Sequence, residues 1–180
     1  GKDKVSGLLE FDFVDFSKSS PTVASLVRLR RAYVDFVNND WQFRVGQDWD
    51  LFSPLAPHSY NFIGHYFGTG DLGFMRQQAQ VFNHSKNWEH AIAVGFPSNN
   101  NQLTMSNPEM GLIPTLTIRE TYKTENGGRF GAAAIVGYVK NQDTSKTISP
   151  FGLNAFFKKV TNSLEVSSEF YYGHNLENLS

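Results

Sequence analysis

Arginines recur along this sequence at positions that fall on predicted β-strands, in or near the polar phase of each strand. They are Arg28, Arg30, Arg44, Arg76 and Arg119. A guanidinium group stays charged at every relevant pH and carries five donors, so a row of them along one wall offers anions a succession of weak binding sites. The chemistry that this pattern favours is the binding and passage of solutes, in which no covalent bond breaks.

Carboxylates also lie in the polar phase of predicted strands, including the strand of Arg44. The acids expected to face the arginines are Glu10, Asp12, Asp48, Glu165 and Glu169. Opposed charges across a water-filled space produce a transverse field, which orders dipolar solutes and water. The plainer alternative is that acids and arginines pair along the wall and stiffen it, and the two roles are compatible.

The residues that catalysis or a metal site would need are not grouped. The chain contains 0 Cys, and His58 and His65 lie on a segment with no helical pattern. The other histidines are scattered, at His84, His90 and His174. No acyl-transfer motif is present, and the Gly68-x-Gly70 sequence lacks the strand-turn-helix context of a phosphate loop. We therefore expect no enzyme activity, no bound metal and no cofactor.

Length and composition narrow the class of protein. The chain has 180 residues, enough for one domain, with 16 Lys and Arg against 17 Asp and Glu, which argues against nucleic-acid binding. No run of about 18 apolar residues occurs, so a transmembrane helix is excluded. Aromatic residues make up 14 % of the chain, yet the mean hydropathy is −0.36. This profile is typical of an outer-membrane β-barrel, whose apolar band faces lipid and whose polar face lines water.

The elements that must position these side chains are strands, because apolar and polar residues alternate with a period of two. The predicted strands are 5–16, 25–37, 41–49, 74–82, 88–96, 113–123, 130–139, 151–157 and 164–172. Strands of about ten residues are long enough to cross a membrane when tilted. Short turns, such as 38–40 and 125–128, tend to alternate with long loops, including 97–108. The pattern predicts an antiparallel transmembrane β-barrel.

The second predicted strand carries a conflict of phase. Arg28 and Arg30 share one face, whereas Arg31 and Asp35 share the other with Leu29 and Tyr33. A β-bulge, or a strand that rises beyond the lipid, would resolve the conflict.

Residues 50–73 form a long interruption without sustained alternation, and loops of that length are usually functional. Pro54 and Pro57 stiffen the start of the segment, and its glycines allow it to fold back tightly. We expect a constriction loop inside the barrel, with Asp50 and Asp71 on its acidic side and its aromatic side chains packed on the wall. A position outside the barrel, or across a neighbouring subunit, stays open.

Several aromatic residues near the predicted strand ends would suit a membrane interface. They are Trp41, Trp88, Tyr122, Tyr138 and Tyr172. The alternative for them is core packing in a soluble β-sandwich.

Residues 28–50, which read RLRRAYVDFVNNDWQFRVGQDWD, resemble the trimeric outer-membrane porins, in particular the DcaP-like branch. In that family an Arg-rich strand, a tight turn and a V-G-Q strand precede a long loop that folds into the channel. The segments FMRQQAQ at 74–80, FGL at 151–153 and FYYGHNL at 170–176 are similar to the family's following strands, in the same order. The likeness extends over nearly the whole chain.

The resemblance implies one subunit of a sixteen-stranded barrel about twice this length, assembled as a homotrimer in the bacterial outer membrane. Its partners would be membrane lipid, lipopolysaccharide and the small hydrophilic solutes, anions among them, that diffuse passively through it. Nine strands is an odd number, and Ser180 does not end an aromatic-terminated strand, so we expect that the sequence covers an N-terminal part of the barrel.

Two other classes of protein remain as alternatives. A small eight-stranded barrel acting as an anchor or adhesin fits the length, although its interior would be too narrow for residues 50–73. A soluble β-sandwich that binds carbohydrate would use the aromatic faces as a ligand platform.

Overall fold

The computed structural model describes residues 3–12, 27–55, 75–96, 113–140 and 147–176. Nearly all of these residues lie in strands or in the short turns between them. The strands are β1 (Lys4–Asp12), β2 (Arg28–Asn38), β3 (Trp41–Trp49), β4 (Met75–His84), β5 (Trp88–Gly95), β6 (Thr115–Lys123), β7 (Gly128–Val136), β8 (Val139–Lys140), β9 (Thr147–Ile148), β10 (Phe151–Val160) and β11 (Glu165–His174).

Nine of these strands form one antiparallel sheet in the order β1-β2-β3-β4-β5-β6-β7-β10-β11. All nine strands expected from the alternation are confirmed, with ends that differ by a few residues. The pair β8 and β9 forms a separate two-stranded ladder, in a region where the sequence predicts only the end of a strand and a loop. Within the described sheet β1 pairs only with β2 and β11 only with β10, so the sheet is not closed.

Short and long connections alternate strictly along the sheet. Short turns join β2 to β3, β4 to β5, β6 to β7 and β10 to β11, whereas the other links span many more residues. Asn39 and Gly127 adopt positive φ angles of 49° and 73° in two of the short turns, a conformation that Asn and Gly tolerate best. All short turns therefore lie at one end of the sheet and all long connections at the other, as the sequence predicts.

Residues 50–55, which we call the strap, leave the end of β3 and cross one face of the sheet. The side chain of Asn154, on β10, donates a hydrogen bond of 2.5 Å to the carbonyl oxygen of Phe52. In a flat sheet β3 and β10 would lie about 24 Å apart, because they are separated by five inter-strand spacings of about 4.8 Å. Three residues reach about 10 Å, so the sheet must curve around the strap. The face that the strap covers is the concave, inner face.

The outer face is a broad apolar surface that nothing in the described chain covers. Its large side chains are exposed by between 38 % and 72 %, and on β4, β5, β6 and β10 exposed residues alternate with buried ones. Representative members are Leu9, Phe36, Phe43, Val45, Ile92, Val94, Ile118, Leu153, Phe157, Val166 and Phe170. The apolar residues of the alternation thus point away from the protein and do not meet one another in a dry interior.

Small and polar residues line the inner face, and the strap packs against them. Leu51 packs with Phe82 on β4 and with two alanines of β5. Phe52 packs with Ile135 on β7 and lies against Tyr171 on β11. The two clusters fix the strap to the wall on both sides, which confirms for Phe52 the prediction that an aromatic of this loop packs onto the wall.

A β-bulge on β2 resolves the phase conflict that the sequence shows. Glu10 of β1 pairs with Arg31, but the next residue, Phe11, pairs with Leu29, so Arg30 is the extra residue. The bulge allows Leu29 and Phe11 to face outward while both arginines reach Glu10. The first of the two explanations for the conflict is therefore confirmed.

No helix in the described ranges is long and apolar enough to cross a membrane.

Candidate functional site

A network of ion pairs runs along the inner face of β1, β2 and β3. Arg44 donates two hydrogen bonds to Asp35 on the neighbouring strand, both of 2.8 Å, and it also pairs with Asp48. Arg31 donates from Nε to Asp48 at 2.6 Å. The guanidinium of Arg44 lies 3.8 Å from the ring centroid of Tyr33, which adds a cation–π contact. Two buried carboxylates and two partly exposed arginines therefore form one connected group.

The bulge of β2 places a second set of charges beside that network. Arg30 lies 3.2 Å from Glu10 and 3.7 Å from Asp12, and Arg31 lies 3.5 Å from the other oxygen of Glu10. Arg28 is opposite Asp12 in the ladder, and its side chain lies outside the described part. The sequence-predicted acids Glu10 and Asp12 are thus paired along the wall with neighbouring arginines.

Asp50 and Arg76 form an ion pair between the root of the strap and β4. Their closest atoms are 3.0 Å apart, and both side chains are almost completely buried. Asp50 also accepts hydrogen bonds from the backbone N–H groups of Phe52 and Ser53. Complete burial raises the pKa of the Asp50 carboxyl, and Arg76 opposes that rise, so the carboxylate depends on its partner for its charge. Asp50 thus holds the strap, and its place on the acidic side of a constriction stays a prediction.

A fourth charged group joins β5 and β6. Arg119 donates to Glu89 at 2.8 Å, and Lys123 donates to the other oxygen of the same carboxylate at 2.7 Å. Arg119 is one of the sequence-predicted arginines, and it lies on the inner face with buried threonines on either side.

The charged groups converge on a cavity of about 230 Å³ between the strap and the wall. Arg31, Arg44 and Arg119 line it together with Asp48 and Asp50. Two buried polar atoms of its lining residues, Gln80 Oε1 and Arg119 Nε, have no hydrogen-bond partner in the described structure. The site can offer donors and acceptors to a small polar solute or to water.

The sequence-predicted residues are brought together in part. Arg30, Arg44, Arg76, Arg119, Glu10, Asp12, Asp48 and Asp50 all take part in ion pairs of the inner face. Asp71 and residues 56–73 lie outside the described residues. The candidate list omitted Arg31, Asp35 and Glu89. Because of the bulge, a strict period of two assigns Arg31 and Asp35 to the wrong face. Glu89 lies in the polar phase of β5 and could have been predicted from the alternation.

No group of three or more His, Asp or Glu side chains suited to a metal ion occurs among the residues that the structure describes.

Comparison with known proteins identifies a structural neighbour. No protein-family profile matches the chain, and no curated protein matches it in sequence. A solved structure does match: the outer membrane channel DcaP of Acinetobacter baumannii, with a TM-score of 0.71 and 21% sequence identity. The match covers 96% of this chain and 48% of that channel, so the chain spans about half of the channel's length. The chain therefore has the fold of about half of an outer-membrane channel barrel.

Proposed function

We propose that this chain forms part of the wall of a water-filled channel in the bacterial outer membrane, through which small hydrophilic solutes diffuse passively. The observation that carries the proposal is the division of the sheet into two faces. The outer face exposes a continuous set of Leu, Ile, Val and Phe side chains, and the inner face holds the paired charges and the cavity. A surface of that size and polarity suits lipid, since large exposed apolar patches mark membrane or partner contacts.

The charges of the inner face support a role in selection by fixed charge and not in catalysis. Each described arginine of the network lies beside a carboxylate, so the wall alternates positive and negative groups over a few ångströms. Such a surface attracts water and dipolar solutes. The arginines that line the cavity offer anions weak binding sites. Anions are therefore included among the proposed solutes.

The strap supports a constriction inside the barrel. Residues 50–55 lie on the inner face, and we propose that the remainder of 50–73 continues there as the constriction loop. An anchor with a filled interior is less well supported, because the sheet has nine strands and the strap lies inside the curve. A sandwich would need a second sheet packed on the first, and the apolar face of the described nine-stranded sheet is uncovered.

Two further parts of the proposal come from the resemblance to porins. They are assembly as a homotrimer and contact with lipopolysaccharide and membrane lipid.

Conductance in planar lipid bilayers tests the proposal. The full-length protein that contains this sequence, purified from outer membranes, is expected to produce discrete current steps. Absence of steps from protein that is folded and inserted would overturn the channel function.

A further inference from the structure

The carboxylate of Glu169, on β11, accepts hydrogen bonds from the far end of the strap. The hydroxyl of Ser53 donates to Glu169 Oε2 at 2.7 Å, and the backbone N–H of Leu55 donates to Glu169 Oε1 at 3.1 Å. The phenol of Tyr171 donates to Oε2, and its oxygen lies 2.7 Å from that of Ser53. The amide of Asn154 approaches Oε1 at 3.4 Å. Both oxygens of Glu169 are thus engaged, and two of the four donors belong to the strap.

Strand β10, which lies beside β11, leaves room for the strap to pack against the sheet. Gly152 of β10 faces Gly173 of β11 in the ladder, and a side chain at Gly152 would lie 2.7 Å from the ring of Phe52. The missing side chain makes room for that ring against the sheet. Asn154, two residues further along β10, donates to the Phe52 carbonyl. The space above Gly152 therefore positions the ring of Phe52, and the hydrogen bond from the buried Asn154 amide holds the backbone of the strap.

The two ends of the strap are held by different chemistry. At its root, Asp50 pairs with Arg76 on the adjacent strand β4. At its far end, the contacts are to β11, the last strand of the described sheet. A segment that is fixed at both ends across a curved wall narrows the space inside the curve. Glu169 accepts hydrogen bonds from both Ser53 and Leu55 there, and Asn154 holds the residue before them, Phe52.

We propose that Glu169 is the positioning residue that holds the strap across the lumen, and that it thereby sets the width of the channel and the steadiness of the current. This inference rests on the proposed channel function and assigns Glu169 a role in it. A carboxylate suits the role because it is an acceptor at both oxygens, whereas the amide of a glutamine presents a donor at one of them. Charge-assisted hydrogen bonds to such an acceptor are also stronger than neutral ones.

A single introduced cysteine reports the position of the strap without any current measurement. The native chain has 0 Cys, so a cysteine at Leu55, whose side chain is buried, is the only reactive thiol of this segment. The rate at which a small water-soluble thiol reagent modifies L55C is measured alone and together with E169A or E169Q. The substitution E125A, in the exposed turn between β6 and β7, is the matched control. Folded barrel is monitored by its heat-modifiable migration in detergent gels.

The expected result is modification at least about tenfold faster in L55C/E169A than in L55C, an intermediate rate in L55C/E169Q, and no change in L55C/E125A. In bilayers E169A is expected to show larger and noisier current steps than the unsubstituted protein. Equal thiol rates in folded L55C and L55C/E169Q, together with unchanged current noise, would overturn the assignment of Glu169. If E169A does not fold, E169Q, which is nearly the same size, decides the question.

The two proposals fail in different ways. A protein that gives no current steps, with thiol rates that respond to Glu169, contradicts the channel and leaves the strap contact supported. If the protein conducts, but neither the modification rate of L55C nor the current noise changes when Glu169 is replaced, only the positioning role is contradicted.

Discussion

Arg76 and Asp50 face each other at 3.0 Å, with side-chain exposures of only 2% and 1%. The pair joins the root of the strap to β4, at the place where the chain turns from the wall of the sheet into its interior. Removing one partner of a buried pair costs about 3–5 kcal/mol, because the other charge stays behind without compensation. The two partners are not equivalent, however, because a carboxylate can become neutral by taking up a proton, whereas a guanidinium does not lose its proton.

We therefore predict unequal effects for D50N and R76M. D50N leaves a buried guanidinium that stays charged, and it should lower the free energy of unfolding by about 3–5 kcal/mol. R76M should cost less, because Asp50 can become neutral. Urea unfolding of the two variants measures the difference, and K86A, in an exposed ion pair of a short turn, serves as the control without effect. A greater loss in R76M than in D50N would contradict the prediction.

The same pair predicts a pH dependence in R76M. Burial already raises the pKa of Asp50 in the native protein, and the loss of Arg76 removes the interaction that opposes this rise. The folded state of R76M then binds a proton more tightly than the unfolded state, so its stability should fall as the pH rises from acid to neutral. Urea midpoints measured across that range check the sign. If the stability of R76M instead rises with pH when compared with that of the native protein, Asp50 remains ionised in the folded variant.

Gly46 provides a test of the β2–β3 ladder that carries Arg44. Its φ angle is +138°, and a Cβ there would overlap the carbonyl oxygen of Ala32 and lie 2.6 Å from Tyr33 Cα. We expect G46A to destabilise the protein by at least about 1–3 kcal/mol, the usual cost of a strained backbone residue. G7A is the matched control, because a Cβ at Gly7 meets only the Tyr33 carbonyl at 3.3 Å. Equal urea midpoints for G46A and G7A would show that the ladder relaxes around the added methyl group.

Much of this sheet could be predicted from the sequence, because a period of two assigns each side chain to a face without any tertiary information. The rule assigns Trp41, Phe43 and Val45 to one face, and all three are exposed on the outer face. The rule fails where the period slips: Arg31 was assigned to the face of Leu29, and the bulge at Arg30 puts the two on opposite faces.

The contacts of the strap could not be found in this way. Phe52 and Asn154 are 102 residues apart in sequence, and their hydrogen bond arises because the curved sheet brings β10 over the end of β3. Residues 50–55 show no alternation, so nothing local indicates which wall they touch. Glu169 was predicted as a charge of the inner face, but its partners on the strap depend on this curvature.

Ile92 tests whether the outer face meets lipid. It lies in the middle of β5 and is 52% exposed, opposite the exposed Ile118 on β6 and the partly exposed Val81 on β4. In a bilayer, I92R should lower the stability of the folded barrel by about 2–4 kcal/mol, whereas on a soluble protein an exposed arginine is close to neutral. Urea unfolding in lipid vesicles measures the cost, with I92V as the control. Full stability of I92R in vesicles would argue for a soluble protein.

Arg119 tests the role of fixed charge in selection. It lines the cavity, and its partner Glu89 keeps a second cation, Lys123, when Arg119 is replaced, so the wall should stay folded in R119Q. One charge about 10 Å from a passing ion is worth about 0.4 kcal/mol in water, or about a twofold effect on each ion. The cation-to-anion permeability ratio of R119Q should therefore rise about two- to fourfold, as measured by the reversal potential in a salt gradient. R119K, which keeps the charge, should behave as the native protein. Because the Debye length shrinks from about 30 Å at 0.01 M to about 3 Å at 1 M, the shift should vanish at high salt. A shift that is equal in R119K and R119Q, or independent of salt, would assign the effect to the shape of the wall and not to its charge.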